Sequence, residues 1–445
     1  MKKILAIVGL AAALVAANAQ NTNLPGVRPP NGVAPPLVWG ADPFTFPYAG
    51  TMRHRTAVVD PGSAWFVTLN PGKSFDVLNT TGSGVVRDIR FTIGQNDSDA
   101  TEPDLDFTKH IRLNIKVDGE STASTTIPLC HLVGWLDLNN LTTNLYWSRW
   151  FRVQDIPKDN ANGPAGGFIL KYPIPYTNGI RIYVDEDGLE PGVNAQMMSE
   201  VTWQDYLPPC PNRNLRFFAT NAFGTQFGWV GGSGTVTRAG TNITGSGTSF
   251  DSTMVGKVIN DASLGGWDAE IITVADATHL TIAPNDTNNV TGVGYAIENI
   301  FQFLTRPAGR TGYVAAVYGS LSHSVANTTY FEANTRFRLN GETNGASWEF
   351  SATEEFFGGD FYFQNVPVLP NYGTFQNWEA GVLANPRNGG TSGSLKTKNI
   401  FAGYRLFPDN PPFYTNGITM IEPANMSNTA LRLTNNWTTV FYEYR

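Results

Sequence analysis

Charge is scarce in this chain: Lys, Arg, Asp and Glu make up only 15% of its 445 residues, and no run of Lys or Arg offsets a net charge of -7. A protein that grips nucleic acid needs a basic stripe or patch to neutralise phosphates, so that partner class is excluded. Only two cysteines occur, Cys130 and Cys210; they leave open one disulfide or two buried thiols, because spacing does not say whether their Cβ atoms approach. Gly-x-Ser-x-Gly, His-Glu-x-x-His, Cys-x-x-Cys and a phosphate-cradling Gly loop are all missing, which leaves serine-hydrolase, zinc and nucleotide chemistry without support. The five histidines, His54, His110, His131, His279 and His323, are scattered singly, as ordinary surface or core histidines are. Beyond the N-terminus no segment approaches the ~18 continuous apolar residues of a membrane span.

The N-terminus itself reads MKKILAIVGLAAALVAANAQ. Lys2 and Lys3 precede an apolar stretch from Ile4 to Ala17, and Ala17-Asn18-Ala19 has the small-x-small form that signal peptidase reads. Residues 1–19 are therefore expected to be a cleavable signal peptide and the mature chain to be secreted or periplasmic, with no membrane partner. No Cys follows the cleavage point to carry a lipid. Residues 20–47 are Pro- and Gly-rich (LPGVRPPNGVAPPLVWG) and read as an extended arm, since Pro cannot ladder into a sheet interior. Asn-x-Thr/Ser sites at Asn79, Asn140, Asn327 and Asn436 matter only in a glycosylating host.

What is abundant is turn and aromatic chemistry: Gly 45, Pro 28 and 12% aromatics, a balance that suits sandwiches or barrels. The ~425 mature residues call for two or three domains at ~150 residues each. From about Tyr48, short apolar runs alternate with turn clusters: AWFVTL, VVRDIRFTI, HIRLNIKV, GFILKYPI, GIRIYV, NLRFFAT. In IRLNIKVDGE the period of two puts Ile111, Leu113, Ile115 and Val117 on one face, and Asp118-Gly119 ends the strand in a turn. Between residues 231 and 297 the texture becomes Thr-, Gly- and Asn-rich, with short Val/Ile strands; this reads as a small inserted β-domain. The first texture resumes at about residue 298 and runs to 445. LNIKVDGE and FRLNGE both read as a strand followed by an acidic Gly turn, which hints at an internal repeat and at two similar sandwiches, 48–230 and 298–445.

Three groups of carboxylates are candidates for chemistry. Asp97, Asp99, Asp104 and Asp106 share one loop with oxygen spacing that a calcium ion could use, though the loop lacks a full calcium motif and a solvated acidic loop explains it as well. Asp185-Glu186-Asp187-Gly188 is a second acidic turn of the same kind. Glu332, Glu354 and Glu355 follow the insert. Glycosidic cleavage needs two carboxyl groups flanking the bond, about 5 Å apart in a retaining mechanism, and strands pairing through an Asn340-Gly341 turn would bring Glu332 and Glu354 face to face.

The string EANTRFRLNGETNGASWEFSATEEFFGG resembles the EGDE, DGE and GTGTEDYFGG signature of glycoside hydrolase family 172, secreted proteins typified by the difructose-anhydride-forming α-fructofuranosidase. Further pieces follow in the family's order: GSGVVRDIRFTI, LNIKVDGE, STTIPLCHLVG, YPIPYTNGIRI, GRTGYVAAVYG, and AGYRLFPDNPPF with ITMIE, so that the likeness covers about 48–445 outside the insert. The resemblance implies an all-β, capsid-like double jelly roll that assembles as a homotrimer or a multiple of it. It also implies action on fructo- or arabinofuranosides with carbohydrate as partner and no obligatory cofactor. Glu332 falls on the first Glu of EGDE and Glu354 on the Glu of TED, the family's catalytic pair, while Asp60, Glu355 and His131 fall on substrate-binding positions. Several family groups are absent: Asn334 and Thr335 replace an Asp and a Glu, Val117 replaces a Trp, His131 replaces an Asp, and the sugar loop shrinks to VVDPGSAW around Asp60. Loss of such hydrogen-bonding groups strips a sugar site of its specificity contacts, which motivates the alternative reading: a non-catalytic structural or carbohydrate-binding protein that self-assembles through the double jelly roll.

Overall fold

The computed structural model describes residues 50–57, 67–95, 105–134, 145–148, 150–156, 165–188, 195–206, 215–227, 230–261, 268–283, 289–323, 335–342, 348–350, 356–357, 375–376, 380–384, 400–408, 410–423 and 432–444. The expected signal peptide and Pro-rich arm lie outside these residues, as does Cys210; Cys130 is buried. No helix among the described residues is long and apolar enough to cross a membrane.

Sixteen of the described strands form the shared frame of two sandwiches of one topology; shorter strands, among them Leu145–Trp147, Phe151–Ile156, Phe375–Gln376 and Ala380–Ala384, extend the two larger sheets. In the first, β1 (Gly50–Ala57), β2 (Ser74–Thr80), β3 (Gly84–Gln95), β4 (Ile111–Val117), β5 (Thr125–Pro128), β6 (Ala165–Leu170), β7 (Ile180–Glu186) and β8 (Ala195–Tyr206) form one sheet in the order β1-β8-β3-β6 and a second in the order β2-β7-β4-β5. In the second, β9 (Leu215–Phe227), β10 (Ile300–Arg306), β11 (Thr311–His323), β12 (Arg336–Leu339), β13 (Trp348–Glu349), β14 (Ile400–Leu406), β15 (Ile418–Pro423) and β16 (Arg432–Tyr444) repeat that order as β9-β16-β11-β14 and β10-β15-β12-β13. Eight antiparallel strands that wrap alternately into two facing sheets are a jelly roll, and the chain carries two.

Alternation in the sequence explains the inward faces. Along β4 and β7 every second residue is buried, so Ile111, Leu113, Ile115, Ile180, Ile182 and Val184 meet in one core. The strings YVAAVYG and TVFYEYR lack that alternation because both faces of the β9-β16-β11-β14 sheet are covered. Val314, Val317, Trp437 and Phe441 pack toward the partner sheet, whereas Tyr313, Ala316, Tyr318, Tyr404 and Tyr442 join the core of the first jelly roll.

The likeness of the halves extends to their hydrogen bonds. Asp118 and Asn340, which end β4 and β12, both hold positive φ (55° and 59°) and are each followed by a positive-φ Gly, the geometry of a tight hairpin turn. Asp118 accepts from the Thr177 amide at 2.7 Å, the Asn178 amide at 2.6 Å and the Thr177 hydroxyl at 2.7 Å. Asn340 accepts from the Thr415 amide at 2.6 Å, the Asn416 amide at 3.1 Å and the Thr415 hydroxyl at 3.1 Å. The donors sit in identical pentapeptides, Tyr176-Thr177-Asn178-Gly179-Ile180 and Tyr414-Thr415-Asn416-Gly417-Ile418. Tyr176 pairs in register with Gly84 and Tyr414 with Gly312, and a Cβ on either glycine would collide with that tyrosine's hydroxyl end. Each ladder also slips once at the same place, opposite Arg87 and opposite Ala315.

The strand Leu215–Phe227 departs from the expected division. Assigned by the sequence to the first sandwich, it pairs along its whole length with β16 and opens the second. The insert therefore lies between the first two strands of the second jelly roll, and it is a barrel. Its ladder runs Tyr295–Ile297, Val258–Asp261, Asp268–Asp276, His279–Ile282, Asn242–Ser246, Thr235–Ala239 and Val290–Val293. Val290–Val293 and Tyr295–Ile297 follow one another in the chain through Gly294, Val230–Gly231 adds to the latter, and the strands curl around one core of Val236, Ile243, Ile259, Ile271 and Leu280.

Candidate functional site

Most residues that the sequence nominates for chemistry lie outside the described residues: Glu332, Glu354, Glu355, Asp60, Asp97, Asp99 and Asp104, with Asn334. Asp106 falls in the short 3-10 helix Leu105–His110. Among the described residues no group of three His, Cys, Asp or Glu side chains is close enough to hold a metal ion.

The positions that are described have been absorbed into packing. Val117 is buried at the end of β4. His131 lies in the 3-10 helix Leu129–Val133, all five residues of which are buried, and that helix packs against β11 and β16. Thr335 is fully buried and donates to the Glu422 carboxylate at 2.6 Å. Phe356 and Phe357, which follow the two candidate glutamates, are fully buried against Trp437. Asn436, one of the glycosylation sites, is buried in β16, while Asn79 is exposed on β2.

Two interfaces concentrate the remaining polar chemistry. The first joins the jelly rolls. Arg216 of β9 forms a buried ion pair with Asp118, so the carboxylate that locks the first hairpin turn also anchors the second sandwich. Burial alone would raise the Asp118 pKa; the amide and hydroxyl donors of Asn178 and Thr177, together with Arg216, outweigh it and hold the carboxyl below its ordinary value. The Thr125 hydroxyl bridges the open edge of β9, donating to the Phe217 carbonyl at 3.5 Å and accepting from the Ala219 amide at 3.3 Å. Tyr172 meets Tyr318 hydroxyl to hydroxyl, Phe217 packs on Tyr172 and Tyr442, and Tyr442 donates to the Pro173 carbonyl at 2.8 Å. Sequence reasoning missed this set; the repeated YTNGI pentapeptide was the signal that could have found its symmetry.

The second interface docks the barrel on the second jelly roll. Arg338 of β12 pairs with Glu270 at 2.8 Å and donates to the Gly256 carbonyl at 2.6 Å, and Arg336 lies 3.5 Å from Glu298. All four charged side chains are largely buried. The outer face of the β1-β8-β3-β6 sheet, by contrast, is charged and open. A shallow depression of about 300 Å³ lies over Gly167 there, lined by Arg90, Thr92, Ile169, Met198 and Glu200.

The topology defines the chain as a double jelly-roll protein with a barrel inserted in its second half. No family model matches the chain, and no curated protein does. Among solved structures it is similar to the crystal structure of the STIV MCP, with a TM-score of 0.35 and 8% identity over 84% of this chain and 96% of that one. It is also similar to the Sputnik virophage structure (TM-score 0.25, 9% identity, 94% and 90% covered) and to the mavirus major capsid protein (TM-score 0.25, 10% identity, 95% and 93% covered).

Proposed function

We propose that this chain is an exported structural protein that assembles with copies of itself through its double jelly roll. The observation that carries the reading is the junction: two jelly rolls alike in strand order and in the hydrogen bonds of their turns are fused through one core, and the edge of one is sealed by the other. A surface that already mates with a near-copy of itself inside the chain is suited to mate again outside it. The burial of Val117, His131 and Thr335, where a sugar site of the resembled family has its contacts, supports an assembly role over a catalytic one. The test is the mass of the mature protein by sedimentation and mass photometry over a wide concentration range. A discrete oligomer or a growing lattice is expected, and a monomer at every concentration overturns the reading.

A furanosidase is the second reading. It rests on Glu332 and Glu354 standing at the matching positions of the family 172 signature, in a chain whose double jelly roll is the fold that resemblance implies. Turnover of aryl arabino- or fructofuranosides that disappears in both Glu332→Gln and Glu354→Gln would establish it. Turnover that persists in both variants rules the pair out.

A further inference from the structure

We infer that the contact between the two jelly rolls within one chain is repeated between chains, head to tail: the second jelly roll of one copy docks, through Asn340, Trp348 and Asn410, on the Thr51–His54 stretch and Arg90 of the next. The inference rests on the assembly reading and names its surface.

The repeated hydrogen bonds and registers define which residues correspond. Because Asp118 corresponds to Asn340 and the two YTNGI segments align, Tyr172 corresponds to Asn410. Phe337 holds the place of Ile115 in the strand, so its cross-strand partner Trp348 holds that of Thr125. On the receiving side, β9 and β1 run along the equivalent strands β16 and β8, with Leu215 opposite Tyr444 and Gly50 opposite Tyr206. Arg216 therefore corresponds to Thr51, Phe217 to Met52 and Ala219 to His54. Counting from Gly84 and Gly312, Tyr318 corresponds to Arg90.

The counterparts of the internal contacts lie at the surface: Arg90, held at 3.0 Å by Asp88, keeps about half of its side chain exposed, and His54 reaches only Thr202 of the neighbouring strand, at 3.1 Å. The β9 edge is sealed by Thr125, yet β1, which holds the same edge in the first jelly roll, exposes every residue from Thr51 to Thr56, and Met52 is 56% exposed. Asn340 and Asn410 are exposed and Trp348 is half-buried. The two sides of each contact have also changed chemistry together. The buried ion pair Arg216–Asp118 becomes the neutral polar pair Thr51–Asn340, and the buried hydroxyl pair Tyr318–Tyr172 becomes Arg90–Asn410. Permanent contacts within a chain are dry, so their polar groups must be paired to one another, whereas contacts between subunits that must meet from solution are wetter and use groups that water also satisfies. The paired change matches that difference, and one-sided erosion would have left a tyrosine or an arginine without a suitable opposite. Such a contact is heterologous, so copies close into a ring or continue as a chain according to the rotation it imposes.

The experiment restores between copies the ion pair that exists within one. Thr51→Arg with Asn340→Asp rebuilds Arg216–Asp118 across the interface; Asp118 itself shows that Asp fits the turn. Thr51→Arg with Asn340→Lys places like charges there. Dissociation on dilution is followed by mass photometry for the wild type and both variants, with circular dichroism as the check on folding. The inference expects the opposite-charge variant to hold its assembly to at least tenfold lower concentration and the like-charge variant to fall apart at least tenfold earlier. Met52→Glu, a change on an exposed strand, is expected to weaken assembly as well. If the wild type assembles and none of the three folded variants differs from it, the interface is elsewhere and the assembly reading stands. If the wild type is monomeric throughout, both are overturned.

Discussion

At the scale of single residues, Asp118 and Asn340 form a natural comparison: the same turn, the same three donors, and one charge of difference. The charge exists for Arg216, which is 6% exposed along its side chain. Removing one partner of a buried ion pair leaves the other charge without compensation and costs about 3 kcal/mol or more. Asp118→Asn is therefore expected to keep the turn and destabilise the protein by about that amount, whereas Asn340→Asp, with no buried cation corresponding to Arg216, stays within about 0.5 kcal/mol of the wild type. Urea titration of both variants reads the contrast. Its pH dependence has a defined sign. A carboxyl held below its unfolded value of about 3.9 stabilises fully above that value and ceases to as pH falls through the folded pKa. The gap between wild type and Asp118→Asn should thus be full at neutral pH and close below about pH 4; a gap that widens in acid would refute the assignment. The turn residues were legible as Asp-Gly and Asn-Gly punctuation. Their shared partners were not, because Thr177 and Thr415 are distant in the chain and only the folded registers bring them to the turns.

At the scale of elements, most strands were legible from their alternation, and the barrel from its Thr- and Gly-rich texture. Strand β9 was misplaced because a strand's sheet is decided by the ladder it joins, and its partner β16 lies more than two hundred residues away across the barrel. The barrel's fixed posture was also invisible, since FRLNGE reads as an ordinary strand and nothing in it marks Arg338 as buried. Arg338 instead lies under the barrel against Gly256, where φ is +83° and a Cβ would collide with the guanidinium. Gly240 has a φ of +62° and open space around the same position. Gly256→Ala should then cost the backbone strain of a left-handed Ala, about 1 kcal/mol, plus displacement of Arg338, whereas Gly240→Ala bears the strain alone. Hydrogen exchange on the barrel face around Lys257 and Glu270 is the readout. Faster exchange there in Gly256→Ala than in Gly240→Ala is expected; equal rates would mean that the clamp does not hold the barrel.

At the scale of the whole molecule, the sequence shows two sandwiches but says nothing of whether they are beads on a string or one body, because an apolar run buried on both faces looks the same whichever neighbour covers it. The packing decides for one body. Phe217, Tyr313, Tyr318, Tyr404 and Tyr442 face the first jelly roll from the second. An aromatic side chain buries about 150–250 Å², which at about 25 cal/mol per Å² is about 4–6 kcal/mol each. Part of that area is covered by their own sheet and by one another, but the remainder from five rings is still comparable with the 5–15 kcal/mol by which a typical protein is stable. A second jelly roll standing alone would have to expose that surface, so the two should unfold together. The barrel has its own core and, among the described residues, is tied to the rest through the contacts of Arg336 and Arg338 and its linkers, so it should unfold separately. Scanning calorimetry of the mature protein is therefore expected to resolve two transitions, a large one for both jelly rolls and a small one for the barrel. Asp118→Asn should move only the large transition and Gly256→Ala chiefly the small one. Separate melting of the two jelly rolls, with Asp118→Asn shifting one of them alone, would show that the shared core does not couple them and that the contact within the chain is too weak to serve again between copies.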